Sequence, residues 1–567
     1  MKIVLTTLNA RFIYSTLALY ELRSFCQNLS EEFLIKEYTI NEMVLDIAAD
    51  LHREKADLIA FSCYIWNIEP ILEICSVLKK VNPELFIVLG GPEVSYDPGE
   101  VLNNHSFIDC IVVGEGEETF YQLVESKARG LSVEEIPGLV WRKSNQIVKN
   151  PPRPLIKELD CLPFPFTKED LTHFAGKIVY YEASRGCPFN CQYCLSSTIH
   201  GVRFFSLERV KSDLKKLIDA KVKQVKFVDR TFNCHLGRTK EILAFLLKFK
   251  DREINFHFEI TADLLDEEII DLMGEAPAGF FQVETGIQST NPQVLEIIKR
   301  KMDFQKVSAS VERLRYKGNV HLHLDLIAGL PGEDMISFEK SFNEVYLLRP
   351  DNLQLGFLKL LKGSGLRNRA EELGLVFHDH PPYEILMTKE MSFADLSELK
   401  EIEDILEQYH NSGRYKHTLN YVIHKKKANP FLFFRNLACF WRRTTQEKML
   451  RQEAKFQLLY RYLLETFPEE NELLFIDFLK LDWLLTERRN TLPMWLGGGK
   501  SQDRSINLSE YLPWARGMTP KEIYKKIAVV NFHHYFFLKE GMVKDFQKKE
   551  CRGIIDYTER DTRIIFV

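Results

Sequence analysis

Arg185-Gly186-Cys187-Pro188-Phe189-Asn190-Cys191-Gln192-Tyr193-Cys194 sets three cysteines in a Cys-x-x-x-Cys-x-x-Cys spacing, with an aromatic residue just before the last sulfur. Three thiolates on one tight loop can hold three corners of a cubane iron–sulfur cluster and leave the fourth iron without a protein ligand. An electron-transfer cluster takes four cysteines, so the missing fourth implies that another molecule binds there. A structural zinc knuckle is the competing reading. It needs a fourth Cys or His close by, and His200 stands at an unusual distance for that role. The loop leaves a strand-like run, Ile178-Val179-Tyr180-Tyr181-Glu182-Ala183-Ser184.

The motif and the strand before it resemble the radical S-adenosylmethionine (radical SAM) superfamily. There the amino and carboxylate groups of SAM occupy the free iron of a 4Fe-4S cluster. The resemblance makes Cys187, Cys191 and Cys194 the cluster ligands and places Tyr193 against the SAM adenine. Downstream, strand candidates recur with intervening helical patterns at residues 224–228, 255–260, 280–283, 320–327 and 353–358. With the cysteine strand these make six βα units, a partial (β/α)6 TIM-like barrel whose site lies at the carboxyl ends of its strands. Those ends carry polar or Gly residues. The resemblance implies that Asp229 takes the SAM amine and Glu259 the ribose hydroxyls. Glu284, with Gln288 and Ser289 of Gly286-Ile287-Gln288-Ser289, follows the fourth strand, and Gly329 lies in a Gly-rich turn passing the adenine. The last strand reads Lys362-Gly363-Ser364-Gly365, which departs from the family's usual pattern, so no ligand role is carried over to it.

Upstream, residues 1–140 alternate short apolar runs with helical patterns, the mark of βαβ units. Strands are expected at 2–8, 33–38, 56–64, 85–91 and 110–114. Five parallel strands with helices on both faces form a flavodoxin-like doubly wound sheet, which binds ligands at the carboxyl ends of its strands. The loops there are Asn9-Ala10-Arg11, Ser62-Cys63-Tyr64-Ile65-Trp66-Asn67, Gly90-Gly91-Pro92 and Gly114-Glu115-Gly116-Glu117. Taken in order, directly upstream of the cysteine motif, they resemble the cobalamin-binding domain of class B radical SAM methylases. That resemblance makes Asn9, Ser62, Tyr64, Gly91, Gly114, Glu115 and Gly116 the cobalamin contacts. Corrinoid domains that donate a histidine to cobalt use Asp-x-His-x-x-Gly after strand one. No histidine stands in that loop, and His52 reads as a solvated helical residue, so the cobalamin is expected without a histidine lower ligand.

Residues 141–176 are rich in proline and read as an ordered linker, with Cys161 as a packing residue. The barrel spans 177–369, and 370–567 is a mainly helical C-terminal domain with amphipathic patterns at 397–409, 446–467 and 520–537. Its Phe431-Leu432-Phe433-Phe434-Arg435 and Phe440-Trp441-Arg442-Arg443 runs mix aromatic and basic side chains. Such a mix can stack bases and hold phosphates, but the commoner explanation is a helix with an aromatic core face and a solvated basic face. The loop at 490–504 is expected to cover the barrel mouth.

A chain of 567 residues exceeds one core. A net charge of −5 gives no global pull toward nucleic acid or anionic membrane. No run approaches the roughly 20 apolar residues that a membrane span requires, and residues 1–5 are too short an apolar stretch for a secretion signal. Eleven cysteines, mostly scattered singly, do not form a disulfide framework and fit a reducing cytoplasm. In the chemistry implied by the resemblance, a flavodoxin or ferredoxin reduces the cluster and SAM splits to a 5′-deoxyadenosyl radical. The radical removes hydrogen from an unactivated carbon, and methylcobalamin then methylates it. A non-methylating ring-forming or rearranging enzyme, or a methylthiotransferase-like tRNA-modifying enzyme, is the alternative. A small molecule or an RNA is compatible with the barrel as substrate, as are a lipid and a peptide.

Overall fold

The computed structural model describes the chain except for residues 11–14, 145, 200, 448, 488–491, 499–507, 517, 540–541 and 559–561. Arg11, His200 and all but 492–498 of the loop at 490–504 therefore lie outside the described residues. The chain forms two compact units, Met1–Ser341 with Leu355–Leu396, and Phe342–Gln354 with Ser397–Val567.

The first unit holds two parallel sheets. In the N-terminal one, β1 (Lys2–Asn9), β2 (Glu32–Thr39), β3 (Leu58–Ser62), β4 (Phe86–Gly90) and β5 (Cys110–Val112) stand in the order β2-β1-β3-β4-β5. Strand order reverses beside β1, which opens a crevice at the carboxyl ends of β1 and β3. The central strands β1 and β3 are buried along nearly their whole length because helices cover both faces. Val4, Leu8, Ile59, Phe61, Ile87 and Leu89 pack with Ile71, Ile74 and Leu78 of the helix Ile68–Val81, all at most 2% exposed. Each such side chain contributes about 1.5–3 kcal/mol by leaving water. A hairpin of β6 (Leu139–Lys143) and β7 (Gln146–Lys149) extends the sheet antiparallel at the β5 edge, so the start of the expected linker is strand. Cys161, expected to pack, is exposed.

The second sheet is the partial barrel. β8 (Ile178–Tyr181), β11 (Gln224–Phe227), β12 (Asn255–Glu259), β13 (Phe281–Gln288), β14 (His321–Ala328) and β15 (Asn352–Phe357) stand side by side in that order. Between β8 and β11, β9 (Ser184–Cys187) and β10 (Gly201–Phe204) form an antiparallel hairpin. Two short strands, β16 (Val376–Phe377) and β17 (Ile385–Met387), follow β15.

The second unit is mainly helical, with Pro430–Thr444, Gln452–Thr466 and Glu472–Glu487 as its longest complete helices. It closes on an antiparallel sheet of β18 (Ile527–Lys539), β19 (Met542–Asp556) and β20 (Arg563–Phe566). The helix expected at 520–537 is therefore mostly strand: only Pro520–Ile523 is helical. Buried Asp477 ties helix to sheet by accepting from the His533 and His534 amides at 2.7 and 2.9 Å. The aromatic-basic stretch follows its bland reading. Phe431, Phe433, Phe434, Phe440 and Trp441 are buried, while Arg435, Arg442 and Arg443 pair with Glu398, Glu401 and Glu465. Among the described residues no helix is long and apolar enough to cross a membrane.

Candidate functional site

The cysteine loop is held at both ends by the β9–β10 hairpin, in which Cys187 pairs with Gly201 and Ser184 with Phe204. Gly186 makes the hairpin possible: its φ is +100°, and a Cβ there would stand 2.1 Å from the Gly201 carbonyl. Cys191 is buried; Cys187 and Cys194 are half-buried. All three face one cavity of about 170 Å³. Burial pushes the Cys191 thiol up, and the Arg300 guanidinium beside it, 3.8 Å from Sγ, opposes that shift. Arg300 also lies 3.3 Å from the Tyr193 hydroxyl and donates to the Gly286 carbonyl.

The strand ends of β12, β13 and β14 form the far wall. Glu259 is pushed up to about 7 by burial, with Glu284 and Asp325 adding to the shift and Arg230 and Lys226 opposing it. Burial would raise Glu284 too, but a hydrogen bond from His257 and the charges of Lys226 and His323 bring it down to about 2. The His257 Nε2–Glu284 Oε2 separation is 3.0 Å. Gln288 sits at a bulge in the β13–β14 register with φ +72°. Its Oε1 and Arg300 Nε are buried without a hydrogen-bond partner among the described residues. Three cysteines, two glutamates shifted in opposite directions and buried polar atoms without partners line one cavity, a donor set that fits a three-cysteine cluster with a polar ligand carrying amine, carboxylate and hydroxyls.

A second cavity, about 440 Å³, opens at the carboxyl ends of β3, β4 and β5 and meets β9 on its other side. Ser62, Tyr64, Gly91, Gly114, Glu115 and Gly116 all line it. Gly91 is required by crowding as well as by φ +102°, since a Cβ would lie 2.5 Å from the Cys63 carbonyl. The Tyr64 ring stacks on Trp66 with centroids 4.4 Å apart and planes within 3°, and Trp66 Nε1 donates to the Leu8 carbonyl. Beneath this cavity runs a buried ionic network. Arg185, two residues before the first cluster cysteine, reaches Glu182 at 2.8 Å and Glu117 at 2.5 Å, with Glu21 and Glu115 both at 3.6 Å. Arg203 pairs with Glu115 at 2.6 Å. Burial and neighbouring carboxylates raise Glu21, and burial raises Glu182 to about 7 against the pull of Arg185. The two cavities share Ser196 and Arg230 as lining residues.

Comparison with known proteins finds three matching family descriptions along the chain. The description "B12 binding domain" covers residues 3–124. "Radical SAM superfamily" covers 181–345, and "Protein of unknown function (DUF4080)" covers 371–554. The chain carries a B12-binding domain and a radical SAM domain. It is 29% identical over 295 residues to an uncharacterized methyltransferase of Pyrococcus horikoshii, covering 51% of this chain and 63% of that one. It is 26% identical over 311 residues to the cobalamin-dependent radical SAM methyltransferase TokK of Streptomyces tokunonensis, covering 50% and 44%. The chain thus spans less than two thirds of the length of either curated relative. Among solved structures, the cobalamin-dependent S-adenosylmethionine radical enzyme OxsB with aqua-cobalamin bound shares the fold at a TM-score of 0.59 and 16% identity, covering 86% of this chain and 79% of that one.

Within the radical SAM domain, the three cysteines, Tyr193, Glu259, Glu284 and Gln288 line one cavity. Four expected residues do not join their cavities. Asp229 is buried with its carboxylate accepting from the Ala183 amide at 2.9 Å and the Ser184 hydroxyl at 2.5 Å, so it braces the β8–β9 turn instead of facing an amine. Ser289 is fully buried and donates to Glu333 at 2.6 Å. Gly329 backs onto Ile385 and Leu396. Asn9 donates to Glu37 and accepts from Thr16, tying the end of β1 to β2 and to the start of the helix Leu17–Phe25 beside a different cavity. Glu115 lines the large cavity, but its oxygens already accept from Arg203 and the Ile156 amide. Sequence reading missed Arg300, Trp66 and the Arg185 network. Arg185 alone carried a local signal, as a cation inside the motif.

Proposed function

We propose that this chain is a cobalamin-dependent radical SAM methyltransferase acting on an unactivated carbon. The observation that carries the reading is that a three-thiol cavity and a glycine-lined cavity of about 440 Å³ adjoin within one unit and share Ser196 and Arg230. Cys187, Cys191 and Cys194 would hold the 4Fe-4S cluster, and Tyr193, Glu259, Glu284 and Gln288 would contact SAM. Ser62, Tyr64, Gly91, Gly114 and Gly116 would contact cobalamin, bound without a histidine lower ligand. When bound, these groups supply one-electron cleavage of SAM and a corrin-borne methyl group.

The chain's own residues position and insulate. Arg300 stabilises thiolate character at Cys191 and fixes the Tyr193 ring. Glu284, ionised through His257 and Lys226, gives one permanent acceptor, whereas Glu259 exchanges its proton near neutrality. Tyr64, braced by Trp66, presents a flat apolar face to a planar ligand. We further propose 1–140, 141–176, 177–369 and 370–567 as the functional divisions, a flavodoxin- or ferredoxin-type reductant, and a cytoplasmic setting.

The test is anaerobic reconstitution of the full chain with iron, sulfide and hydroxocobalamin, followed by reductant and SAM bearing a deuterated methyl group. Iron–sulfur absorbance, retained corrinoid and 5′-deoxyadenosine release are expected. Protein that binds zinc instead, or leaves corrinoid in the flow-through, refutes the proposal.

A further inference from the structure

Among the described residues, four guanidinium groups line the two cavities: Arg185, Arg203, Arg230 and Arg300. Three are committed inside the protein. Arg185 is bound to Glu117 and Glu182, Arg203 to Glu115 and the Ile156 carbonyl, and Arg300 to the Gly286 carbonyl and the cysteine loop. Arg230 differs. Its guanidinium makes no hydrogen bond or ion pair among the described residues, it is exposed, and it lines both cavities. Its charge acts on Glu259 on one side and Tyr64 on the other, so it stands between the two proposed cofactor seats. A fixed positive charge without an internal partner, facing a shared void, is a site for an anion. The planar fork of Arg favours a carboxylate or phosphate bound through two parallel hydrogen bonds. The cluster end of the first cavity already has its own cation in Arg300, which touches Cys191 and Tyr193.

We propose that Arg230 anchors a carboxylate or phosphate group of the substrate at the junction of the two cavities, so that the carbon to be methylated lies between them. This rests on the function proposed above and narrows its substrate to an anionic molecule, with Ser196 as the neighbouring hydroxyl.

Arginine labelling with phenylglyoxal, read by peptide mass spectrometry on the full chain, tests it. Arg230 should label faster than Arg185, Arg203 and Arg300. In protein loaded with SAM and hydroxocobalamin, inorganic phosphate or acetate should slow Arg230 labelling, and sodium chloride of equal ionic strength should not. At ten times the probe's Kd the slowing should be about tenfold, because protection scales as 1 + [L]/Kd. Protection by phosphate alone assigns a phosphorylated substrate; protection by acetate alone assigns a carboxylate. By isothermal titration, Arg230→Gln should lose the binding of whichever anion protects, and Arg230→Lys should keep part of it, while iron–sulfur absorbance is unchanged in both. Loss of labelling with SAM alone or hydroxocobalamin alone would make Arg230 a cofactor contact and overturn the proposal. Absence of protection by either anion would overturn it too. If the protein retains neither cofactor, the function reading falls, and anion protection of Arg230 in the bare chain remains a separate result.

Discussion

Replacing Arg185 with Met is the most informative perturbation of the first unit. The side chain is 10% exposed, and its four carboxylate partners range from 5% to 19%. Breaking a buried ion pair by removing one partner costs about 3–5 kcal/mol, because the other charge is left uncompensated. Two features move the expected value to the low end. Glu115 keeps Arg203, and Glu182, already at about 7, takes up a proton once its cation is gone. Glu117 is left exposed to the full loss, so about 3 kcal/mol is expected at pH 8. Arg185 stabilises the carboxylate forms, and the raised Glu182 is protonated below about 7. The cost of the substitution must therefore shrink as pH falls from 8 through 7 toward 5. The assay is native-state hydrogen exchange of the cofactor-free protein, read on peptides covering 110–118 and 182–188. In a double-mutant cycle with Glu117→Gln, the two substitutions should fall short of additivity by about 0.5–3 kcal/mol. A cost below about 1 kcal/mol at pH 8, or one that is the same at pH 5, would refute the reasoning.

Four further outcomes follow from named residues. Gly186→Ala should prevent the β9–β10 hairpin, given a Cβ 2.1 Å from the Gly201 carbonyl, and abolish iron incorporation. Gly114→Ala, with φ +80° but nothing within 4 Å of its Cβ, should cost only about 1–2 kcal/mol by thermal melting and keep the cluster. Glu259 should make SAM affinity tighten by about tenfold between pH 6 and 8, the ratio of ionised fractions around a pKa of about 7. Equilibrium dialysis of Glu259→Gln should show a flat profile, and an opposite slope in the wild type would count against the ribose-acceptor role. Arg442→Ala with Arg443→Ala removes two exposed ion pairs and should leave stability within about 0.5 kcal/mol and RNA retention on filters unchanged. A large drop in RNA retention would restore a nucleic-acid role to that face.

What was legible in the sequence was whatever is local in the chain. The cysteine spacing lies on one loop, and the β–α alternation places strand ends by counting, so both sheets could be read directly. The C-terminal strand β18 was misread although its signal was present. Val529, Val530, Phe532, Tyr535, Phe536 and Phe537 are strand formers, and their burial partly alternates. A 15-residue partner, β19, stabilises them as strand, and that pairing is long-range. The aromatic-basic stretch is the converse case. A period of 3.6 residues carries Phe431, Phe434, Leu437 and Trp441 to the buried side of the helix Pro430–Thr444, which leaves Arg435 and Arg442 to pair with acids.

Site residues were harder to read because position along a strand end does not fix direction. Successive residues there point to opposite sides, so a shift of one residue exchanges a cavity wall for a core contact. Asp229 and Arg230 show this most plainly. Chemistry alone favours the acid as the ligand for an ammonium group. The turn between β8 and β9 leaves the Ala183 amide and Ser184 hydroxyl in need of an acceptor, and Asp229 supplies it from a fully buried position. With the acid turned inward, the residue that lines the void beside it is the cation Arg230. The polarity of the junction is therefore set by a backbone hydrogen-bond requirement elsewhere in the fold. On this reasoning Asp229→Asn, which weakens that brace, should loosen the cysteine hairpin and free Arg230 from its place between the cavities. Its phenylglyoxal protection by anions should then weaken even though Arg230 itself is untouched, and unchanged protection would show that the two neighbours act independently.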